Sequence, residues 1–147
     1  MQLNFEKFEF QIKCINNKNR IYDVIRKKFI VLTPEEWVRQ HVIHQLLKNG
    51  FSAGLFSVEK KLPSSSKRYD VVVYNSAGKP NLLVECKSPK VDLDESILNQ
   101  VSAYLQFADV PYVLLTNGLK HYLIERSKEG IKVSESFPRY QNLNSEG

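Results

Sequence analysis

Apolar residues along this chain follow two patterns, a helical periodicity and short continuous runs, which together predict an α/β fold. From Val38 to Leu47 they recur every three or four positions, as on one face of a helix. Thr33 and Pro34 supply an N-cap and a first helical residue, and Gly50 follows as a C-terminal cap. A second segment with helical periodicity extends from about 94 to 108. Short runs rich in β-branched residues predict buried strands.

The order of these segments predicts a helix, three antiparallel strands, a helix and a fourth strand that lies parallel to the third. The predicted strands of this part of the chain are 55–59, 69–74, 82–87, 112–116 and 120–125. Alternating residues at 8–14 and 20–24 flank a polar turn and predict an N-terminal β-hairpin. We therefore expect one domain over 1–147, with an N-terminal hairpin extension (1–32), a core (33–125) and a weakly structured tail (126–147) that contains one edge strand near 131–133.

Three charged residues interrupt the most apolar strands. Asp70 lies near the start of 69–74, and Glu85 and Lys87 lie at the end of 82–87. Since side chains alternate along a strand, Glu85 and Lys87 share one face and Cys86 occupies the other. A hairpin of these strands would bring the two carboxylates and the ammonium group to one end.

Two neighbouring carboxylates repel each other unless a positive charge lies between them. A hard divalent cation such as Mg²⁺ prefers oxygen ligands and would supply that charge, with Mn²⁺ as a substitute. Lys87 would then orient or deprotonate a water molecule. The alternative is structural: Asp70 and Lys87 could form a buried ion pair across the hairpin.

Composition places few limits on function. The chain has 147 residues, a net charge of +5 and two cysteines, which form no metal-binding or redox motif. Free thiols, no signal peptide and no apolar run of membrane-spanning length favour a cytoplasmic protein without a membrane partner. The positive charge favours polyanionic partners. The basic residues Lys67 and Arg68 precede Asp70, where phosphate contacts or a solubilising loop are both reasonable.

The pattern of Asp70 followed by Glu85-Cys86-Lys87 resembles the PD-(D/E)XK nuclease superfamily, with Tyr69 in the place of its Pro. Within that superfamily the chain looks like the N-terminal nuclease domain of type I restriction enzyme R subunits. Glu36-Trp37-Val38-Arg39 is similar to that group's Glu-x-x-Arg pattern, and Gln100-Val101-Ser102-Ala103-Tyr104 is similar to its Gln-x-x-x-Tyr motif. The resemblance covers roughly 33–125 and implies an αβββαβ core with a mixed sheet flanked by helices.

This resemblance implies a Mg²⁺-dependent DNA endonuclease. Asp70, Glu85 and the Cys86 carbonyl would bind the metal, and Lys87 would activate the attacking water. Glu36 would hold a metal-bound water, with Glu35 as the alternative if the helix is rotated.

Gln100 and Tyr104 would support this site or contact the DNA backbone. In type I enzymes the nuclease is joined to an ATP-driven motor, but the sequence contains no phosphate-binding Gly-rich motif. A separate motor or specificity protein is therefore a possible partner. The alternative function is a nucleic-acid-binding or assembly module of the same fold with weak or no catalysis.

Overall fold

Two β-sheets and three α-helices form the part of the chain that the structure, a computed structural model, describes: residues 2–61, 68–105 and 109–143. The elements are β1 (Ile12–Ile15), β2 (Lys18–Asp23), β3 (Lys28–Val31), α1 (Pro34–Lys48), β4 (Phe56–Lys61), β5 (Arg68–Tyr74), β6 (Pro80–Cys86), α2 (Glu95–Leu105), β7 (Tyr112–Thr116), β8 (His121–Ser127), β9 (Gly130–Ser134) and α3 (Tyr140–Leu143). None of the described helices is both long and apolar enough to cross a membrane.

The larger sheet has six strands in the order β4-β5-β6-β7-β8-β9. Its pairs are antiparallel except β6 with β7, which run parallel and are connected through α2. The predicted order of helix, three strands, helix and strand is confirmed, and so is the mixed α/β fold class. The parallel pair aligns Cys86 with Thr116, so β6 and β7 end together.

Both faces of β5 and β6 are covered, as their apolar sequences predict. One face, with Val71 and Val84, packs against the fully buried Val38 and Val42 of α1. The opposite face, with Leu83, belongs to a second apolar cluster that includes residues of α2. The α1 helix begins as predicted, because the Thr33 hydroxyl accepts a hydrogen bond from the Glu36 N–H at 3.0 Å.

The predicted N-terminal hairpin is instead a three-stranded antiparallel sheet, β1-β2-β3. Its first turn is tight because Asn16 and Asn17 both adopt positive φ angles, of 54° and 63°. The first strand starts at Ile12 rather than Phe8, because Phe8 and Phe10 turn away to pack on ring side chains of α1.

The segment predicted to be a weakly structured tail contains β9 and the short helix α3, joined by the irregular residues 135–139. Strand β9, predicted near 131–133, forms the edge of the large sheet. Beyond it the chain returns to the end of α1, where the Asn49 side chain donates to the Pro138 carbonyl at 2.9 Å. The Tyr140 N–H donates to the Asn49 carbonyl at 3.1 Å, and this pair of bonds holds α3 in place.

We predict that Gly118→Ala destabilises the protein by about 1–3 kcal/mol. Gly118 has a φ of +87°, and an added Cβ would lie 2.9 Å from Leu3 Cδ2 and 3.1 Å from Val38 Cγ2. Urea unfolding of wild type and Gly118→Ala measures the difference in unfolding free energy. Gly54→Ala is the matched control because no atom lies within 4 Å of its added Cβ. Equal effects of the two changes would contradict this account.

Candidate functional site

Asp70 is anchored to both β6 and α1. Its Oδ2 accepts a hydrogen bond from the Cys86 N–H at 2.8 Å, and its Oδ1 accepts one from Arg39 Nη2 at 2.7 Å. The first bond ties Asp70 to the end of the strand that carries Glu85. The salt bridge of Asp70 is with Arg39, and among the described residues none joins it to Lys87. The alternative of an Asp70–Lys87 ion pair is therefore wrong.

Arg39 projects from α1 into a group of acidic side chains, and its own side chain is only 7% exposed. Its Nη1 lies 3.0 Å from Glu36 Oε1 and 3.4 Å from Glu59 Oε1. Burial alone would lower the pKa of this guanidinium, but the Glu36 and Asp70 carboxylates outweigh burial and raise it above its ordinary value. Arg39 is therefore a permanent positive charge shared among several carboxylates.

Glu59 reaches this group through an irregular strand. Its φ is +54°, and the register of β4 with β5 pairs Val58 with Val71 and Lys60 with Tyr69 on either side of it. A left-handed residue inside a strand typically costs about 1 kcal/mol or more. The irregularity lies opposite the position of Asp70, so the sheet is distorted where the polar groups meet.

Behind Arg39 lies a second guanidinium that comes from the turn after β2. Arg26 Nη2 donates to both carboxylate oxygens of Glu36 at 3.0 Å, and its Nε donates to Asp23 Oδ2 at 2.6 Å. Gln40 Nε2 bridges the same two carboxylates, at 2.9 Å from Glu36 and 3.0 Å from Asp23. Glu36 is thus surrounded by donors, and the network joins the N-terminal sheet to α1.

Glu35, the neighbour of Glu36, lies on the more exposed side of this group, with its Oε1 3.9 Å from Arg39 Nη2. Its side chain is 49% exposed. Partial burial raises the pKa of its carboxyl group, and so does the nearby Asp70 charge, while Arg39 and Lys87 act in the opposite direction. Glu35, Asp70 and Lys87 therefore share one electrostatic neighbourhood. This geometry favours Glu35 over Glu36 as the glutamate that faces the predicted metal site.

The end of β6 places three consecutive residues in different surroundings. The Glu85 side chain is buried, and Lys87 is partly exposed just beyond the strand. Lys87 is fixed through its backbone, since its N–H donates to the Thr116 carbonyl at 2.8 Å. The Cys86 side chain lies in the core beneath α1, where burial, followed by the Asp70 charge, raises the pKa of its thiol well above the usual value. Cys86 is thus a neutral, buried thiol.

The donor chemistry of this site fits a hard divalent cation, because the carboxylates of Asp70, Glu35 and Glu85 are oxygen ligands. Their arrangement is less complete than the sequence predicts. Within residues 2–61, 68–105 and 109–143, no three or more His, Cys, Asp or Glu side chains are grouped so as to hold a metal ion. Both oxygens of Asp70 are engaged, one by a backbone amide and one by Arg39.

The remaining predicted site residues lie at the margin. Gln100 is exposed on α2. Arg68 is also exposed, and its guanidinium donates to the Glu59 carbonyl at 3.4 Å. The side chain of Tyr104, and Lys67 as a whole, lie outside the described residues, so their predicted roles remain predictions.

The sequence interpretation assigned no role to four residues of the network: Asp23, Arg26, Arg39 and Gln40. Arg39 lies in the Glu-x-x-Arg pattern, which is the one signal that could have identified it. Arg26 begins a run of three basic residues, 26–28, yet its side chain is only 16% exposed because it contacts Asp23 and Glu36. No local pattern marks Asp23 and Gln40, since their partners lie on other elements.

The family model of the type I restriction enzyme R protein N terminus (HSDR_N) matches residues 34–138. The chain belongs to this family. The match begins at the first residue of α1 and includes Asp70, Glu85 and Lys87, while Asp23 and Arg26 precede it.

Among solved structures, the type IIG restriction endonuclease BpuSI is similar to this R-protein N-terminal chain. The TM-score is 0.47 and the identity 22%, over 63% of this chain. The aligned region spans 11% of that enzyme. No curated protein matches the sequence significantly.

We predict that the Asp23 carboxylate of this family member stabilises the fold at neutral pH but not in acid. Burial would raise the pKa of Asp23, but hydrogen bonds from the Arg26 backbone and side chain and from Gln40 outweigh burial and lower it below 3.8. A lowered folded-state pKa means that the stabilisation is complete above the unfolded value and is lost as pH falls through the folded one.

Urea unfolding of wild type and Asp23→Asn from pH 7 to pH 2 tests this expectation. The difference in unfolding free energy between the two proteins should be constant at neutral pH and shrink below about pH 4. A difference that does not change down to pH 2 would contradict the assigned ionisation.

Proposed function

We propose that this chain is a Mg²⁺-dependent DNA endonuclease that hydrolyses phosphodiester bonds. Membership of the type I restriction R-protein family supports a nuclease and a DNA substrate. The observation that carries the proposal is the 2.8 Å hydrogen bond from the Cys86 N–H to Asp70 Oδ2. Through it, the aspartate on one strand and the Glu85-Cys86-Lys87 segment on the next meet at one end of the β5–β6 hairpin.

In this proposal Asp70, Glu85 and the Cys86 carbonyl hold the cation. Glu35 takes the role first given to Glu36, since the Glu36 carboxylate already accepts hydrogen bonds from Arg26, Arg39 and Gln40. A bound Mg²⁺ would polarise the scissile phosphate and offset its developing charge. Lys87 is assigned to orient or deprotonate the attacking water, because its backbone is fixed to β7 and its side chain reaches the neighbourhood of Glu35.

The DNA contacts are assigned by position and charge. The exposed Arg68 lies on the same strand as Asp70, two residues away, and Lys67 precedes it in sequence. Both are proposed to bind backbone phosphates. Gln100 and Tyr104 of α2 are proposed as accessory residues, and a separate motor or specificity protein is the further partner that the restriction family suggests.

A second candidate function is a DNA-binding or assembly module with weak or no catalysis. The 2.7 Å pairing of Arg39 with Asp70 favours it, because this pair compensates the aspartate without any metal. Plasmid nicking by the purified chain in Mg²⁺ or Mn²⁺ distinguishes the two functions, since a binding module would bind DNA and leave it intact.

We predict that Lys87→Ala lowers the rate of plasmid nicking at least about 100-fold while leaving the fold intact. The loss follows from the role of Lys87 in water activation. Lys90→Ala removes an exposed lysine three residues further on and is the matched control, expected to nick at close to the wild-type rate. Nicking by folded Lys87→Ala at the wild-type rate would exclude the assigned role.

We predict that Arg68→Gln weakens DNA binding about equally on all sequences and reduces its salt dependence. If Arg68 neutralises one phosphate, the slope of log K against log[salt] should become less steep by about 0.9. Arg126→Gln is the control, because Arg126 is an exposed arginine far from the site. It follows Glu125, which pairs with Tyr112 at the start of β7, whereas the site lies at the end of β7. Identical slopes for wild type and Arg68→Gln, measured by fluorescence anisotropy, would contradict this assignment.

A further inference from the structure

The two oxygens of Asp70 are held by donors of different kinds. The donor to Oδ2 is a backbone amide, that of Cys86, which is fixed by the pairing of β6 with β7. The donor to Oδ1 is the guanidinium of Arg39, which lies at the end of a long, rotatable side chain. A cation that approaches Asp70 therefore meets one immobile donor and one that is able to move.

The Asp70 carboxylate requires a positive partner in this position. Its side chain is only 13% exposed, and a largely buried carboxylate without a compensating charge is costly. Among the described residues the ion pair that Asp70 makes is with Arg39, although Lys87 is the cation that the sequence pattern places beside it. Arg39 thus supplies the charge that a divalent cation would otherwise provide.

Arg39 keeps other acceptors if Asp70 is withdrawn. Its Nη1 remains 3.0 Å from Glu36 and 3.4 Å from Glu59. Glu36 is itself held by two hydrogen bonds from Arg26, so the position of this second acceptor does not depend on Asp70. Release of Asp70 therefore leaves the Arg39 charge paired with the Glu36 carboxylate.

We propose that Arg39 is the internal counter-ion of Asp70: it pairs with the carboxylate in the cation-free protein and is displaced when a divalent cation binds. The inference rests on the proposed function for the existence of the cation site. It makes Arg39 a positioning residue that competes with the cation and lowers the affinity of the site. Only the fraction of molecules in which Asp70 has left Arg39 is competent to bind, so apparent affinity falls by that fraction.

Calorimetric titration of the full chain with Mn²⁺, without DNA, tests the proposal. Arg39→Gln removes the competing charge and is expected to bind Mn²⁺ at least about tenfold more tightly than wild type. Lys60→Gln is the matched control, because it removes one exposed positive charge from β4, where Lys60 pairs with Tyr69 beside Asp70, and Lys60 forms no ion pair with Asp70 among the described residues. It should change the affinity less than about twofold if the effect requires direct contact.

Equal or weaker Mn²⁺ binding by folded Arg39→Gln would overturn the proposal, as would an equal gain in Lys60→Gln. Arg39→Lys covers the case in which Arg39→Gln fails to fold, since lysine keeps the charge but loses the planar fork of donors. Its Mn²⁺ affinity should exceed that of wild type, and a wild-type value would count against the inference.

Two further measurements separate this inference from the proposed function. Asp70→Asn should bind no Mn²⁺ at this site, whether Arg39 is present or replaced. Wild type that binds Mn²⁺ and nicks plasmid, together with an Arg39→Gln variant of unchanged affinity, refutes the counter-ion role and leaves the nuclease function standing. Wild type and Arg39→Gln that both fail to bind Mn²⁺ refute the cation site and the counter-ion role together.

Discussion

The cost of burying charge governs the arrangement of this protein around α1. Asp23 and Glu36 are almost fully buried and Asp70 is largely so, and each would be costly without a positive neighbour. Two guanidinium groups meet this requirement, because Arg26 contacts Asp23 and Glu36 while Arg39 contacts Glu36 and Asp70. Removing one member of such a network typically costs about 3–5 kcal/mol, since its partner is left buried and unpaired.

This constraint gives the N-terminal sheet a structural reason to lie where it does. Considered by its strands alone, β1-β2-β3 is a small, largely exposed sheet that shares no strand pair with the six-stranded sheet. Ion pairs of Asp23 and Arg26 connect it to α1, in addition to the burial of Ile21 and the packing of Ile25 against the core. The Asp23 carboxylate also caps the turn that presents Arg26. The restriction-family match begins only at residue 34. The Glu36 carboxylate that pairs with Arg39 is nevertheless held by Arg26, which precedes the match.

Local patterns predicted the fold well, because helix caps and buried strands are encoded by neighbouring residues. Thr33 and Pro34 marked the start of α1, and the apolar runs marked β5, β6 and β7 within a residue or two. The third strand of the N-terminal sheet was missed as a partner of β2, because the turn between them, residues 24–27, contains no Gly, Asn or Pro to mark a hairpin.

The candidate site was predicted less completely. Asp70 and Glu85-Cys86-Lys87 were found because charged residues in apolar strands are conspicuous. The choice between Glu35 and Glu36 depends on which side of α1 faces β5, and a rotation of one residue reverses it. The partner of Asp70 could not be found from the hairpin alone, since Arg39 arrives from a different element 31 residues away in sequence.

The two candidate functions require the same fold and differ in the partner of the Asp70 carboxylate, which is Arg39 in one and a metal ion in the other. Asp70 is held at the end of β6 by the Cys86 amide whichever cation it binds, so the backbone of the site is already in place. Exchanging Arg39 for a metal ion requires movement about side-chain torsions, which is far less costly than rebuilding a strand. A binding module and a cation-dependent nuclease can therefore share this structure, and under the counter-ion proposal the relative affinity of Asp70 for guanidinium and for a divalent cation would decide between them.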